Sequence, residues 1–176
     1  MIFFQVLALY LAAGLAVALL FALFGAAVGW VVFRTRRLRG ELFALLTLAV
    51  TFVIATLILN TPIDGGPGVY LSVVPVPRLG PSPASAFYLM ALALAVLTLG
   101  VARWVSQARL GTGLFAIHDD EDVAEVSGVP TFGYKLAAFA LSCGLAAMAG
   151  SLNALFISYV TVGQVFSILV PLNVVL

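Results

Sequence analysis

The first 33 residues constrain the fold of this chain more than any other segment, because positions 2–33 contain no charged side chain. A helix needs roughly 20 apolar residues to cross the hydrocarbon core of a bilayer. The run is too long for a secretory signal peptide, and no basic residue precedes it. We therefore predict a membrane-spanning helix within residues 4–30.

The composition of the whole chain also favours a membrane-embedded fold. Apolar residues make up 64% of the 176 positions and charged residues only 9%, whereas a soluble domain has about 25% charged residues. Three further stretches are long enough to span a bilayer, at about 41–60, 86–104 and 135–158. A fifth begins near residue 165 and reaches Leu176. The predicted fold is an all-α, polytopic transmembrane helix bundle of about four full spans with a truncated fifth.

Basic residues near the span ends predict the orientation, because cytoplasmic loops are enriched in Lys and Arg. Two groups of basic residues stand out, whereas the loop 61–85 holds only Arg78. The groups are Arg34, Arg36, Arg37 and Arg39 between the first two spans, and Arg103, Arg109 and Lys135 around the loop 105–134. We therefore expect both groups in the cytoplasm and the loop 61–85 outside. Met1 then lies outside without an export signal, so we expect the chain to be part of a longer protein.

Small residues recur at every fourth position in the first and fourth predicted spans. This spacing lets helix backbones approach closely in lipid, so we predict that both spans pack against other protein along these stripes. The stripes are Gly14, Ala18, Ala22 and Ala26, and then Ala138, Ser142, Ala146, Gly150 and Ala154. No span centre holds an ionisable residue, which argues against an ion-coupled carrier.

The loop 105–134 contains a short predicted helix with clear ends. Asp119 is an N-cap candidate, because its carboxylate can accept from free backbone N–H groups, and the three acidic residues after it fall in the first turn, where the helix dipole favours negative charge. Gly128 suits the left-handed C′ position, and Pro130 blocks continuation. The pattern predicts about two helical turns at roughly 120–127. Such a helix could be a solvated connector, a docking element for a partner or, with His118, a metal site.

Other chemical sites are not indicated by the sequence. Capping explains the acids beside His118, and there is no Cys/His cluster with metal-ligand spacing, so no metal, cofactor or catalytic residue is predicted. Gly65, Gly66 and Gly68 lack the Lys-Ser/Thr pair of a phosphate-binding loop. The net charge of +1 gives no basic surface for nucleic acid.

Several stretches resemble the membrane permeases of branched-chain amino acid ABC importers, specifically the LivM-like branch. The resemblance covers most of residues 34–170, and the cytoplasmic loop is its most specific part. The matching positions are Arg37 to Ala49, Gly65 and Gly66, then Arg109, Gly111, Leu114, Ala116, Ile117, Asp120, Glu121, Ala124, Glu125 and Gly128 in the loop, and Tyr134, Lys135, Leu136, Phe139 and Ala149 to Leu152 beyond it. The family usually has a basic residue where His118 stands.

The resemblance implies a transport subunit, not an enzyme, with no ATPase site of its own. It would lie in the bacterial inner membrane and translocate branched-chain amino acids or a similar small polar solute. The implied partners are cytoplasmic ABC ATPase subunits, a second permease subunit, a periplasmic or lipid-anchored substrate-binding protein and membrane lipid.

The resemblance also implies that the loop 105–134 couples this permease domain, which would include all 176 residues, to the ATPase. In that family the loop carries a coupling helix that rests in a cleft of the ATPase subunit. The expected coupling residues are Gly111, Ala116, Ile117, Asp120, Ala124, Glu125 and Gly128. Gly111 would allow the turn into the loop, Ile117 and Ala124 would face the ATPase groove, and Asp120 and Glu125 would cap the helix or pair with basic groups there.

Three other functions remain open at the level of sequence. A permease for urea or short amides would look alike, and no residue can be assigned to the substrate. An ion-coupled secondary carrier would need an ionisable group at mid-membrane. A membrane-embedded enzyme would need a cluster of His, Asp, Glu or Ser side chains near the membrane surface, and His118, the only histidine, has no paired nucleophile.

Overall fold

The structure, a computed structural model, describes residues 2–34, 41–61, 68–71 and 83–167, with side chains from residues 12, 45 and 84 onward in the first three helices. The elements in chain order are α1 (Ile2–Phe33), α2 (Glu41–Leu59), β1 (Val69–Tyr70), α3 (Pro83–Gln107), α4 (Arg109–Asp119), α5 (Glu121–Val126), α6 (Thr131–Ile157), β2 (Tyr159–Val160) and α7 (Val162–Val165). Contacts divide the chain into two units, one formed by residues 1–36 and 76–152 and the other by 37–75 and 153–176.

Long apolar helices dominate the described residues, so the prediction of an all-α membrane bundle is confirmed at that level. Within the described part of the chain, three helical stretches are long and apolar enough to cross a membrane: Ala12–Phe33, Ala84–Gln107 and Thr131–Ile157. The described side chains of α2 form a shorter apolar helix, Leu45–Leu59. Some predicted features lie outside the described residues, namely the fifth stretch beyond 167, three of the four arginines that follow the first span (36, 37 and 39), Gly65, Gly66 and most of the loop 61–85.

Threonines inside the apolar helices satisfy their own hydroxyl groups. Thr51 donates to the Thr47 carbonyl at 2.9 Å, Thr56 to the Phe52 carbonyl at 2.8 Å, and a third threonine, at position 98, donates one turn back in the same way. An unsatisfied polar group in hydrocarbon costs roughly several kcal/mol. These hydrogen bonds therefore explain how the helices tolerate hydroxyl groups in lipid.

In the first unit, α1 packs against α6 along the predicted small-residue stripe of α1. A Cβ atom on Gly144 would lie 3.0 Å from the carbonyl oxygen of Ala18 and 3.4 Å from the Cβ of Ala22, so the two backbones are in close approach. Phe33 and Phe139 add an edge-to-face ring contact with centroids 5.7 Å apart. Close approach through small residues is the expected mode of helix association in lipid.

The contact surface of α6 differs from the predicted stripe. It runs through Leu136, Phe139, Cys143, Gly144 and Met148, each of which lies near a small residue or a phenylalanine of α1. By contrast, a Cβ atom on Gly150 of the predicted stripe would meet nothing within 4 Å. Small residues occur on more than one face of α6, so their spacing alone could not identify the face that meets α1.

In the second unit, β1 and β2 form an antiparallel two-stranded ribbon. Val69 pairs with Val160 and Tyr70 with Tyr159, and the two tyrosine rings lie 4.6 Å apart. Gly68 precedes β1 with φ +102°, and a Cβ atom there would lie 2.8 Å from the Val160 carbonyl oxygen. The ribbon therefore requires glycine at position 68 for its backbone conformation and for space.

Replacing Gly68 by alanine is expected to lower the thermal stability of the purified protein, because the side chain is strained in the left-handed region and meets the facing strand. A left-handed conformation costs an L-residue roughly 1–2 kcal/mol, so we expect a loss of about 1 kcal/mol. Thermal unfolding in detergent measures it. The control is Gly163→Ala, at a position where a Cβ atom has open space. Equal melting temperatures for the two variants would contradict the ribbon geometry.

Candidate functional site

A buried glycine, Gly111, allows α4 to pack closely against the end of α3. The N–H of Ala108 donates to the carbonyls of both Trp104 and Val105 at 3.1 Å, which ends α3 tightly. Gly111 is buried in the first turns of α4, and a Cβ atom there would press on the Val105 carbonyl oxygen and lie 2.6 Å from the Cα of Ser106. Only a residue without a side chain allows α4 to fold back so closely on the end of α3.

Helix α5 is capped by Asp120 and not by Asp119. The Asp120 carboxylate accepts from the N–H groups of Asp122 at 2.9 Å and Val123 at 3.1 Å. Asp119 instead ends α4, because that helix continues to it and the chain leaves the helical conformation one residue later, at φ −157° and ψ 116°. The predicted cap was therefore one residue too early, and the segment contains two helices where the sequence predicted one.

The other end of α5 has the predicted glycine. Gly128 has φ +87°, and its N–H donates to the Glu125 carbonyl at 3.0 Å. The N–H of Val129 donates to the Ala124 carbonyl at 3.0 Å, which completes a Schellman-type end. A Cβ atom on Gly128 would have open space, so the backbone conformation, and not crowding, accounts for the glycine.

The apolar side chains of α5 point in two directions. Ala124 is only 3% exposed, whereas Val123 is 62% and Val126 is 91% exposed. The chain itself covers the methyl group of Ala124, the residue that was expected to face the ATPase groove. Val126 and Val123 are the apolar groups of α5 that a partner could cover.

The remaining expected site residues lie on α4 and at the end of α5. Ala116 and Ile117 are half-buried, and Glu125 is exposed. A shallow depression of about 220 Å³ separates the two helices, with Ala116 on one side and Val123 on the other. Among the residues that the structure describes, no group of three His, Cys, Asp or Glu side chains could hold a metal ion.

Comparison of the sequence with models of known protein families identifies the family of this chain. The family model described as "Branched-chain amino acid transport system / permease component" matches residues 1–176. The chain belongs to this permease family. The family resemblance predicted from the sequence is therefore confirmed.

Two relatives of this permease are high-affinity branched-chain amino acid transport system permease proteins LivM, from Escherichia coli strain K12 and from Salmonella typhimurium strain LT2. Each is 32% identical over 160 aligned residues, which cover 75% of this chain and 37% of the relative. The chain thus spans little more than a third of the length of these relatives. No solved structure gives a significant match to it.

Sequence reasoning missed two structural residues of this permease segment. Gly113 is buried against the ring of Tyr134, and Val126 is the most exposed apolar residue of α5. The pair of glycines at 111 and 113 was the available signal for the first, because glycine lowers helix propensity and needs another reason to stand in a helix. The exposure of Val126 could have been predicted only if the orientation of α5 had been known.

Proposed function

We propose that this chain is part of the membrane-spanning subunit of an ATP-driven importer for branched-chain amino acids or a similar small polar solute. Membership of the permease family supports the transport role. The proposal includes four full spans in the bacterial inner membrane, a second permease subunit and a substrate-binding protein on the outer side. ATP is hydrolysed by separate cytoplasmic ATPase subunits, so the chain itself is not an enzyme.

The proposed orientation places α4 and α5 in the cytoplasm and the ribbon of β1 and β2 outside. The ribbon supports this arrangement, because pairing of Tyr70 with Tyr159 requires the segments after α2 and after α6 to lie on one side of the membrane. The basic residues around α4, namely Arg103, Arg109 and Lys135, support a cytoplasmic position for the opposite end of α6.

Within this function, α4 and α5 form the docking segment for the ATPase subunit. The observation that carries this proposal is the exposed apolar pair Val123 and Val126 on a short helix that is capped at both ends. Capping keeps the helix rigid, because it satisfies backbone groups that would otherwise fray. A rigid helix with apolar groups exposed to water gains free energy when a partner groove covers them.

Changing Val126 to arginine is expected to reduce association with the ATPase subunit at least about tenfold, which corresponds to roughly 1.4 kcal/mol of binding free energy. The charged side chain would have to enter the apolar contact, yet the fold should not change, because Val126 is 91% exposed. The measurement is the amount of ATPase that co-purifies when the full-length permease and its genetically neighbouring subunits are expressed together.

His118→Arg is the matched control for this experiment. It introduces the same side chain into the same segment, at an exposed position where the resembled family usually has a basic residue. Association should persist in this variant. If no ATPase associates with the unaltered protein, the importer proposal fails and an ion-coupled carrier becomes the function to test, by uptake against a proton gradient. If ATPase associates equally with all three forms, Val126 is outside the docking surface.

A further inference from the structure

The start of α6 is fastened to both helices of the docking segment. The ring of Tyr134 lies on the backbone of Gly113 in α4, so closely that a Cβ atom at Gly113 would be 2.6 Å from Cε1 and 2.8 Å from Cδ1 of the ring. The next residue, Lys135, forms a salt bridge with Glu121 in the first turn of α5 at 2.5 Å. Two successive residues of α6 therefore contact two different helices.

These two contacts resist displacement in complementary ways. A ring pressed on a glycine backbone cannot be pushed closer, because no side chain is present to rotate away. The salt bridge opposes separation, although its side chains are 27% and 30% exposed and partly solvated ion pairs contribute little. Tyr134 therefore carries the larger share of the linkage.

The same end of α6 is also packed on α1. A Cβ atom at Gly29 of α1 would lie 3.0 Å from both Leu136 and Phe139, which stand one and four residues after Lys135 in α6. A displacement that reaches the first turn of α6 therefore meets a close-packed helix pair, which transmits strain because its interior is not compressible.

We propose that Tyr134 and Lys135 are positioning residues that transmit movement of the docking segment to the span α6. This inference rests on the proposed function and adds the route by which a displacement of α4 and α5 enters the membrane. Tyr134 is pushed through Gly113, Lys135 is pulled through Glu121, and α6 moves together with α1. Both residues lie on α6, outside the proposed docking segment, so their loss should leave docking in place and abolish its mechanical consequence.

The test uses the complete complex in lipid nanodiscs, with Asn153→Cys near the other end of α6, in a background that carries Cys143→Ser and lacks any other cysteine of the full-length protein. Asn153 is exposed, and its rate of maleimide labelling with and without ATP reports movement of α6 whatever the transported solute is. In the parent protein we expect ATP to change the labelling rate. Tyr134→Ala should abolish that change while the same amount of ATPase co-purifies, and Tyr134→Phe, which keeps the ring on Gly113, should retain it.

Several outcomes separate this inference from the proposed function. If the ATPase does not bind the parent protein, both the proposed function and the transmission route are refuted. An ATPase that binds but causes no change in labelling, or a Tyr134→Ala variant that responds like the parent, would overturn the transmission route and leave docking intact.

If the Tyr134→Ala variant does not assemble with the ATPase, reversing the charges of the Glu121–Lys135 salt bridge tests the same route. Glu121→Lys places two positive charges together and should diminish the ATP-dependent change, and the double variant Glu121→Lys/Lys135→Glu should restore it by remaking the pair. A contribution that either charge makes on its own, outside the pair, would give no such rescue. A full response from Glu121→Lys alone would refute the route through Lys135.

Discussion

Gly111→Ala is expected to prevent α4 from packing on the end of α3 and, under the proposed function, to abolish ATPase association and transport. The new Cβ atom would press on the Val105 carbonyl oxygen and stand 2.6 Å from the Cα and 2.7 Å from the carbonyl oxygen of Ser106. All three are backbone atoms, so no rotamer change can relieve the clash. Forcing extra atoms into a packed site typically costs about 1–3 kcal/mol and occasionally more, and we expect about 3 kcal/mol here.

Two measurements check this expectation: the melting temperature of the purified full-length protein and the amount of ATPase that co-purifies. The matched control is Gly133→Ala in the first turn of α6, where a Cβ atom would meet nothing within 4 Å. Alanine is favoured over glycine in a helix by about 1 kcal/mol, so this control should be as stable as the unaltered protein or more so. A Gly111→Ala variant that behaves like the control would mean that α3 and α4 do not meet as described.

The features that could be predicted from the sequence are those that local physics determines. Uncharged apolar runs predicted the long helices, because a bilayer accepts little else of that length. Gly128 was correctly predicted as the left-handed residue after α5, because the sequence around it has acids at the helix start and a proline beyond the end. Helix boundaries were less accurate: α3 and α6 begin three and four residues earlier than predicted, at Pro83 and Thr131.

The orientation of α5 could not be predicted, because it depends on a helix that the sequence did not reveal. Gly111 and Gly113 lower the intrinsic helix propensity of residues 109–119 by about 1 kcal/mol each relative to alanine, and tertiary contacts override this preference. Tyr134 and the end of α3 occupy the space that side chains at the two glycines would fill. In the folded chain Ala124 is covered and Val126 is exposed, a difference that the sequence of α5 alone does not reveal.

The face of α6 that meets α1 illustrates the same limit in the membrane. Both Gly144 and Gly150 are small, and both fit a spacing of small residues along the helix. Only Gly144 lies against α1, where the Ala18 carbonyl is close, and Gly150 faces open space. In lipid there is little hydrophobic difference between faces, so the choice depends on detailed shape and not on the pattern of residue types.

Gly25→Ala is expected to destabilise the contact between α1 and α6 by about 2–3 kcal/mol, in the range typical of overpacked cores. The added Cβ atom would lie 2.6 Å from the Sγ and 2.7 Å from the Cβ of Cys143, and 3.7 Å from the Cα of Ala140. Since both of the close atoms belong to one side chain, removing that side chain should relieve the clash. Cys143→Gly should therefore compensate for Gly25→Ala. No such compensating substitution exists for Gly111→Ala, because the atoms that its Cβ would meet belong to the backbone.

A four-member cycle measures this compensation in thermal unfolding of the purified protein, with the unaltered chain, Gly25→Ala, Cys143→Gly and the double variant. Cys143→Gly alone should cost about 0.3 kcal/mol through the lower helix propensity of glycine, in addition to the lost packing of the thiol side chain, and the double variant should be more stable than the two separate losses predict. Residues in contact show non-additive energies of about 0.5–3 kcal/mol, whereas distant residues add. Strict additivity would contradict the packing of α1 on α6, because Gly25 and Cys143 would then not be in contact. Gly150→Ala serves as the control, since its open position should leave the melting temperature unchanged or raised.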